Sequence, residues 1–125
     1  MIDTLARAMV GGDENHARDM GLAIESVDKM VRYYDCAFAL VHHTGKNGMD
    51  LRGSSALRGA LEVSVKLTMF EDKIKVVCDK NKNDPAFETY WLELVASGDS
   101  VVPVKTEAPV KGKTEPNTPL SLIHI

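Results

Sequence analysis

The feature that most constrains the fold is an uninterrupted apolar run, Cys36 to Val41, that stops abruptly at the polar pair His42-His43. The run is too short for a helix, and being apolar at every position it offers no face to solvent. It reads as a strand buried on both faces, which suits a parallel sheet covered by helices. Upstream, Met20, Ala23, Ile24, Val27, Met30, Val31 and Tyr34 recur at three- and four-residue spacing. That is one apolar face of a helix ending near Tyr34. Gly11-Gly12 breaks the chain before it, Asp13 stands where an N-cap would, and Glu14 suits the positive end of the helix dipole. A helix feeding a doubly buried strand predicts an α/β fold.

The second half has a different period. Ser54 or Ser55 can cap a short helix through Ala56, Leu57 and Ala60. Val63, Val65, Leu67 and Met69 then alternate with polar residues, Glu71-Asp72-Lys73 turns, and Ile74, Val76 and Cys78 alternate again. This is the pattern of a β-hairpin. Asn81 to Pro85 is a polar loop, Thr89 to Val95 a further strand, and Ser97-Gly98-Asp99 a turn into Val101 to Val104. The expected boundaries are one folded unit over 1–104 and a tail over 105–119. The tail is rich in Pro, Lys, Thr and Glu and should be disordered. The last six residues, Leu120 to Ile125, match one reading frame of a transposon-end adapter used in DNA sequencing libraries. They are expected to be adapter-derived rather than natural protein.

Bulk properties narrow the possibilities. A chain of 125 residues makes one domain at most, and 44% hydrophobic residues suffice for a core. A net charge of −3 gives no global attraction to nucleic acid, so any such contact must come from a local basic segment. Two cysteines, Cys36 and Cys78, both in apolar runs, read as reduced core residues. No apolar run approaches the ~18 residues that cross a bilayer. Asp3 stands where a signal peptide would be basic, so the expected location is cytoplasmic, with no membrane partner.

Two segments can carry chemistry. Asp3 is a carboxylate placed to end a short strand, although the apolar residues that should precede it are missing. Such a group can hold the water shell of a magnesium ion bridging two phosphates. Some forty residues on, His42-His43-Thr44-Gly45-Lys46 runs into Arg52-Gly53-Ser54-Ser55. A neutral imidazole can donate to a phosphate oxygen, and Lys46 and Arg52 on a glycine-punctuated loop suit phosphate contact independent of sequence. Adjacent histidines raise a metal alternative with Cys36 or Asp50, but neighbours on a strand point to opposite faces. Gly112-Lys113-Thr114 is a decoy for a phosphate-binding loop, because Glu107 sits where the first glycine belongs and Pro109 lies between.

Taken together, Ile2-Asp3-Thr4-Leu5-Ala6-Arg7, Gly12-Asp13-Glu14-Asn15 with Met20, Val41-His42-His43-Thr44-Gly45-Lys46 and Arg52-Gly53-Ser54-Ser55-Ala56-Leu57 resemble the RepA-type hexameric helicases. These are AAA-family ATPases of the RecA-like superfamily. Lys80-Asn81-Lys82 extends the resemblance more loosely. It implies a partial RecA-like P-loop ATPase core, a central sheet with flanking helices followed by a β-hairpin and further strands. The chain would start at the Walker B strand and lack the P-loop half. Asp3 would be the magnesium-associated acid, His43 the contact to the γ-phosphate with His42 beside it, and the cofactors ATP and Mg2+. Lys46 and Arg52 would meet single-stranded DNA in the channel of a homo-oligomeric ring, a hexamer.

Arg52, Arg58, Lys80 and Lys82 would be sources of positive charge for a neighbouring subunit's site. Where related ring helicases often carry Lys-x-Arg, Lys82 replaces the arginine and lacks its planar fork. The implied function is ATP hydrolysis coupled to DNA translocation or remodelling in an intact parent, as in DNA replication, with no activity from this piece alone. The alternatives are a non-catalytic single-stranded nucleic-acid-binding or interaction module and a structural remnant. For the six terminal residues the coding DNA is decisive: the adapter origin requires the codons CTGTCTCTTATACACATC, and any others overturn it.

Overall fold

Helix α2 (Ala17–Tyr34) carries the periodic apolar face, with Met20 fully buried at 0% exposure and Ile24 and Val27 packed against the same cluster. The computed structural model describes residues 1–43, 55–109 and the backbone of Leu122–His124. The helix starts three residues later than an Asp13 cap implies, with His16 at the N-cap position. Instead, the Asp13 carboxylate accepts from the Asn15 N–H two residues on (2.8 Å), and the Asp13 carbonyl accepts from His16 N–H (3.0 Å). That local turn competes with helix and delays it to Ala17. Asp19, in the first helical turn, reaches back to accept from the Asp13 N–H at 3.0 Å. At the other end the chain leaves through Asp35 in the left-handed region (φ 48°). The N–H groups of Asp35 and Cys36 both donate to the Val31 carbonyl, satisfying an otherwise orphaned acceptor.

The remaining elements are β1 (Ile2–Asp3), α1 (Leu5–Ala8), β2 (Leu40–His42), α3 (Ser55–Ala60), β3 (Val63–Phe70), β4 (Lys73–Asn81), β5 (Tyr90–Ser97), β6 (Ser100–Thr106) and β7 (Leu122–His124). Among the described residues the strands form one sheet in the order β1-β2-β7-β3-β4-β5-β6. Only β1 and β2 run parallel as neighbours; every other pairing is antiparallel. The architecture is mixed α/β. No described helix is long and apolar enough to cross a membrane.

The expectation for Cys36 to Val41 needs correction. The strand begins at Leu40, Cys36 and Ala37 are exposed, and burial alternates: Leu40 buried, Val41 half-buried, His42 buried. Leu40 joins Leu5, Met20, Leu57 and Leu61 in the core, so the helices pack on that face of β2. The segment from Cys36 is spent turning the chain out of α2, which leaves Cys36 outside the core. Cys78 is half-buried, and both cysteines are free.

The antiparallel half follows its alternation closely. β3 and β4 turn through Glu71 and Asp72, with Glu71 at φ 54°, and β5 and β6 turn through Gly98 (φ 59°) and Asp99. A two-residue turn makes Ser97 and Ser100 a hydrogen-bonded pair, so Leu94 and Pro103 are a non-bonded one. The missing N–H of Pro103 therefore falls on the outer side of the edge strand and costs the ladder nothing. Strand β6 takes in Lys105 and Thr106, which the sequence assigned to the tail; residues 107–109 follow without regular structure, and 110–119 lie outside the described residues. The backbone of Leu122–His124 sits between β2 and β3, antiparallel to both. Backbone ladders accept almost any side chains, so this pairing carries no information on the origin of those residues.

The core is small and imperfectly filled, with a cavity of about 60 Å3 lined by Leu5, Met20, Leu40, Leu57 and Leu61 among others. Leu57→Ala would enlarge it. The expected loss is about 2–5 kcal/mol of unfolding free energy, read from urea denaturation followed by circular dichroism.

Candidate functional site at the ends of two parallel strands

Ile2 pairs with Leu40 and Asp3 with Val41, and Ile2 N–H donates to the Ala39 carbonyl at 2.8 Å. Parallel pairing brings both C-terminal ends to one edge of the sheet. Asp3 thus stands one strand spacing, about 4.8 Å, from the strand that carries His42 and His43. A parallel pair requires a crossover, which α1 and α2 supply. In open α/β sheets such strand ends are where ligands bind.

The two histidines are not equivalent. His42 has 1% exposure and shares the core side with Leu40, whereas His43, the next residue, is exposed, as is Asp3. Of the pair, His43 is the imidazole that can meet a ligand arriving from solvent. The sequence placed both histidines beside the phosphate; the burial of His42 follows from its position two residues from Leu40 on one strand. Among the described residues no three His, Cys, Asp or Glu side chains stand close enough to hold a metal ion. The donor set therefore fits magnesium in one manner only: an exposed carboxylate sharing the ion with phosphates and water. It does not furnish a phosphate cradle, because Gly-x-x-x-x-Gly-Lys occurs nowhere in the 125 residues.

The other candidate residues are distributed differently. Lys46, Arg52 and Asp50 lie outside the described residues. Lys80 donates to the carbonyls of Arg58 (2.9 Å) and Gly59 (3.3 Å), placing its charge on the negative end of α3. Arg58 pairs with Asp79 at 3.4 Å, and the Asp79 carboxylate also accepts from the fully buried Ser64 hydroxyl at 3.3 Å. Lys82 pairs with Glu62 at 2.7 Å, and Asn83 donates to the same carboxylate at 3.4 Å. To serve a neighbouring subunit, Lys80 and Lys82 would each have to leave these partners. Sequence reasoning missed this bracing of α3 against β4, because its partners are some twenty residues apart with no periodicity to link them.

A groove of about 390 Å3 runs beside α1 and α2, lined by Ile2, Leu5, Met9, Leu22 and Val27 among others. Its lining omits Asp3, His42 and His43, so the cavity and the strand-end chemistry are separate features.

Comparison with known families bears on the strand-end edge. Residues 1–49 match the family model described as an AAA domain. The match runs from β1 through β2 and so takes in both strand ends. It supports an AAA-type ATPase domain. That family hints at nucleotide binding and typically at ATP. No curated protein and no solved structure gives a significant match to the chain.

The Glu62 carboxyl is held below the usual carboxylate range, chiefly by the hydrogen bond from Lys82, against a smaller opposing effect of burial. A carboxylate depressed on folding contributes stability above its unfolded pKa, about 4.3, and loses it as pH falls through the lower folded value. Both side chains are solvent-exposed, so the contribution is screened. The expected result of Lys82→Ala is a Glu62 titration moved up towards the ordinary value, measured by carboxyl carbon NMR.

Proposed function

We propose that the chain is the C-terminal part of a RecA-like ATPase of the RepA helicase type, whose intact parent couples ATP hydrolysis to translocation along DNA or its remodelling. The observation that carries this reading is the register of β1 on β2, with Asp3 and His43 exposed at one edge of the sheet. The AAA-domain match over residues 1–49 supports it.

In this reading Asp3 would help hold, through water, the magnesium ion that accompanies ATP, and that ion would supply neutralisation of phosphate charge. His43 donates one hydrogen bond to the terminal phosphate and so distinguishes its presence from its absence. His42, buried behind it, fixes the backbone from which His43 projects. Lys46 and Arg52 contact single-stranded DNA in the channel of a homo-oligomeric ring. Arg52, Lys80 and Lys82 are the candidate cations for an adjacent subunit, the two lysines only on leaving their carbonyl and Glu62 partners. A phosphate cradle, a magnesium-binding Ser/Thr and a water-activating Glu must come from sequence preceding Asp3 in the parent.

Two measurements test this. The purified 125-residue chain is expected to hydrolyse ATP no faster than its Asp3→Ala variant; a robust rate abolished by that substitution overturns the reading of an incomplete site. The gene should also carry, in frame and about a hundred residues upstream, a Gly-x-x-x-x-Gly-Lys-Ser/Thr segment. In a chain extended to include it, Asp3→Asn should lower kcat by about a hundredfold or more. An effect of only a few-fold would remove Asp3 from the catalytic assignment.

A further inference from the structure

Register divides the antiparallel part of the sheet into two faces. Leu67, Met69, Ile74, Val76, Leu92 and Leu94 share one, mainly aliphatic, with Tyr90 and the Lys105 ammonium over its ring at the β5–β6 end. Lys66, Phe70, Lys73, Lys75 and Trp91 share the other, where Glu93 is the only acidic residue among the paired positions of β3, β4 and β5. In a chain of net charge −3, three lysines facing one carboxylate make a local positive field.

The aromatic pair on that face is ordered. The Phe70 ring meets the Trp91 indole edge to face, with centroids 5.9 Å apart and planes at 86°. The Lys75 ammonium lies over the indole, 5.9 Å from its centroid. Lys73 is held by the Glu107 carbonyl at 3.0 Å, which leaves its other N–H bonds for a second acceptor. Trp91 and Phe70 are half-buried, so each still shows part of its surface.

We infer that this face binds single-stranded nucleic acid, one base stacking on Trp91 while Lys66, Lys73 and Lys75 meet the flanking phosphates. The Phe70 contact fixes the plane of the indole before any ligand arrives. A stacked base gains more than an exposed cation over the same ring, so it displaces Lys75, whose ammonium then swings to a phosphate. A duplex keeps its base faces stacked within the helix and cannot use an aromatic platform in this way. The residues of this surface do not include Lys46 or Arg52, and the inference does not depend on the ATPase assignment.

The experiment uses the full chain titrated with fluorescein-labelled oligo(dT) and oligo(U) of about 15 nucleotides, following both anisotropy and tryptophan emission. Trp91 is the only tryptophan, so its emission reports this face alone. Expected are quenching in step with anisotropy and a slope of log affinity against log salt of about −2, from three phosphate contacts to a single strand. Trp91→Leu should weaken binding about tenfold or more, while Trp91→Phe keeps most of it. Lys66→Gln with Lys75→Gln should lower affinity and flatten the salt slope. Should Trp91→Leu fail to fold by circular dichroism, the phenylalanine variant, the lysine pair and the emission change carry the test.

Absence of binding at low salt overturns the inference. So does saturable binding with unchanged Trp91 emission, or binding indifferent to the lysine pair. A chain without ATPase activity leaves each of these outcomes readable.

Discussion

Everything at the candidate site depends on one short ladder, the parallel pairing of Ile2 and Asp3 with Leu40 and Val41. Parallel strands cannot be joined by a tight turn, so the intervening chain must cross over one face of the sheet. That requirement brings α2 down onto Leu40 and, through Met20, closes the core with Leu5, Leu57 and Leu61. It also sends two polar residues, one acidic and one an imidazole, out of the same edge. Packing and chemistry thus have a common cause, and the register that buries Leu40 also leaves Asp3 and His43 exposed.

Much of this was legible from residues alone, and the parts that were not have physical reasons. The face of α2 showed because burial repeats with the helical period, and both hairpins showed because alternation survives on a sheet with chemically different faces. The start of α2 was misread because Asp13 can cap a helix or a turn with the same oxygen, and the turn through Asn15 and His16 won. Cys36 to Phe38 looked like strand because apolar composition does not distinguish a buried strand from the exit of a helix. At the site, the order of Asp3 and His43 in sequence suggested adjacency, and the difference between His42 and His43 follows from strand alternation. The ties of Lys80 and Lys82 were not legible, since long-range partners of flexible side chains leave no local pattern.

The two halves of the sheet are built on different rules. Around β1 and β2, helices cover one face and polar residues gather at the strand ends. From β3 to β6 the strands meander, with one face mainly aliphatic apart from Tyr90 and Lys105 and the other carrying Trp91, Phe70 and three lysines. Between the halves, α3 is held by its own leucine in the core and by Lys80 at its terminal carbonyls. The AAA-domain match ends at residue 49, before α3, so the meander is the part of the chain for which its own geometry is the main guide.

Strand β6 is the exposed margin of this sheet, and Val101, Val102 and Val104 on it are all open to water. Such a margin invites another copy to zip on and begin a fibre. Pro103, set midway with its nitrogen facing outward, interrupts the donor row any incoming strand would need. The molecule can thus carry a greasy rim at high concentration while its sheets resist stacking side by side into polymer.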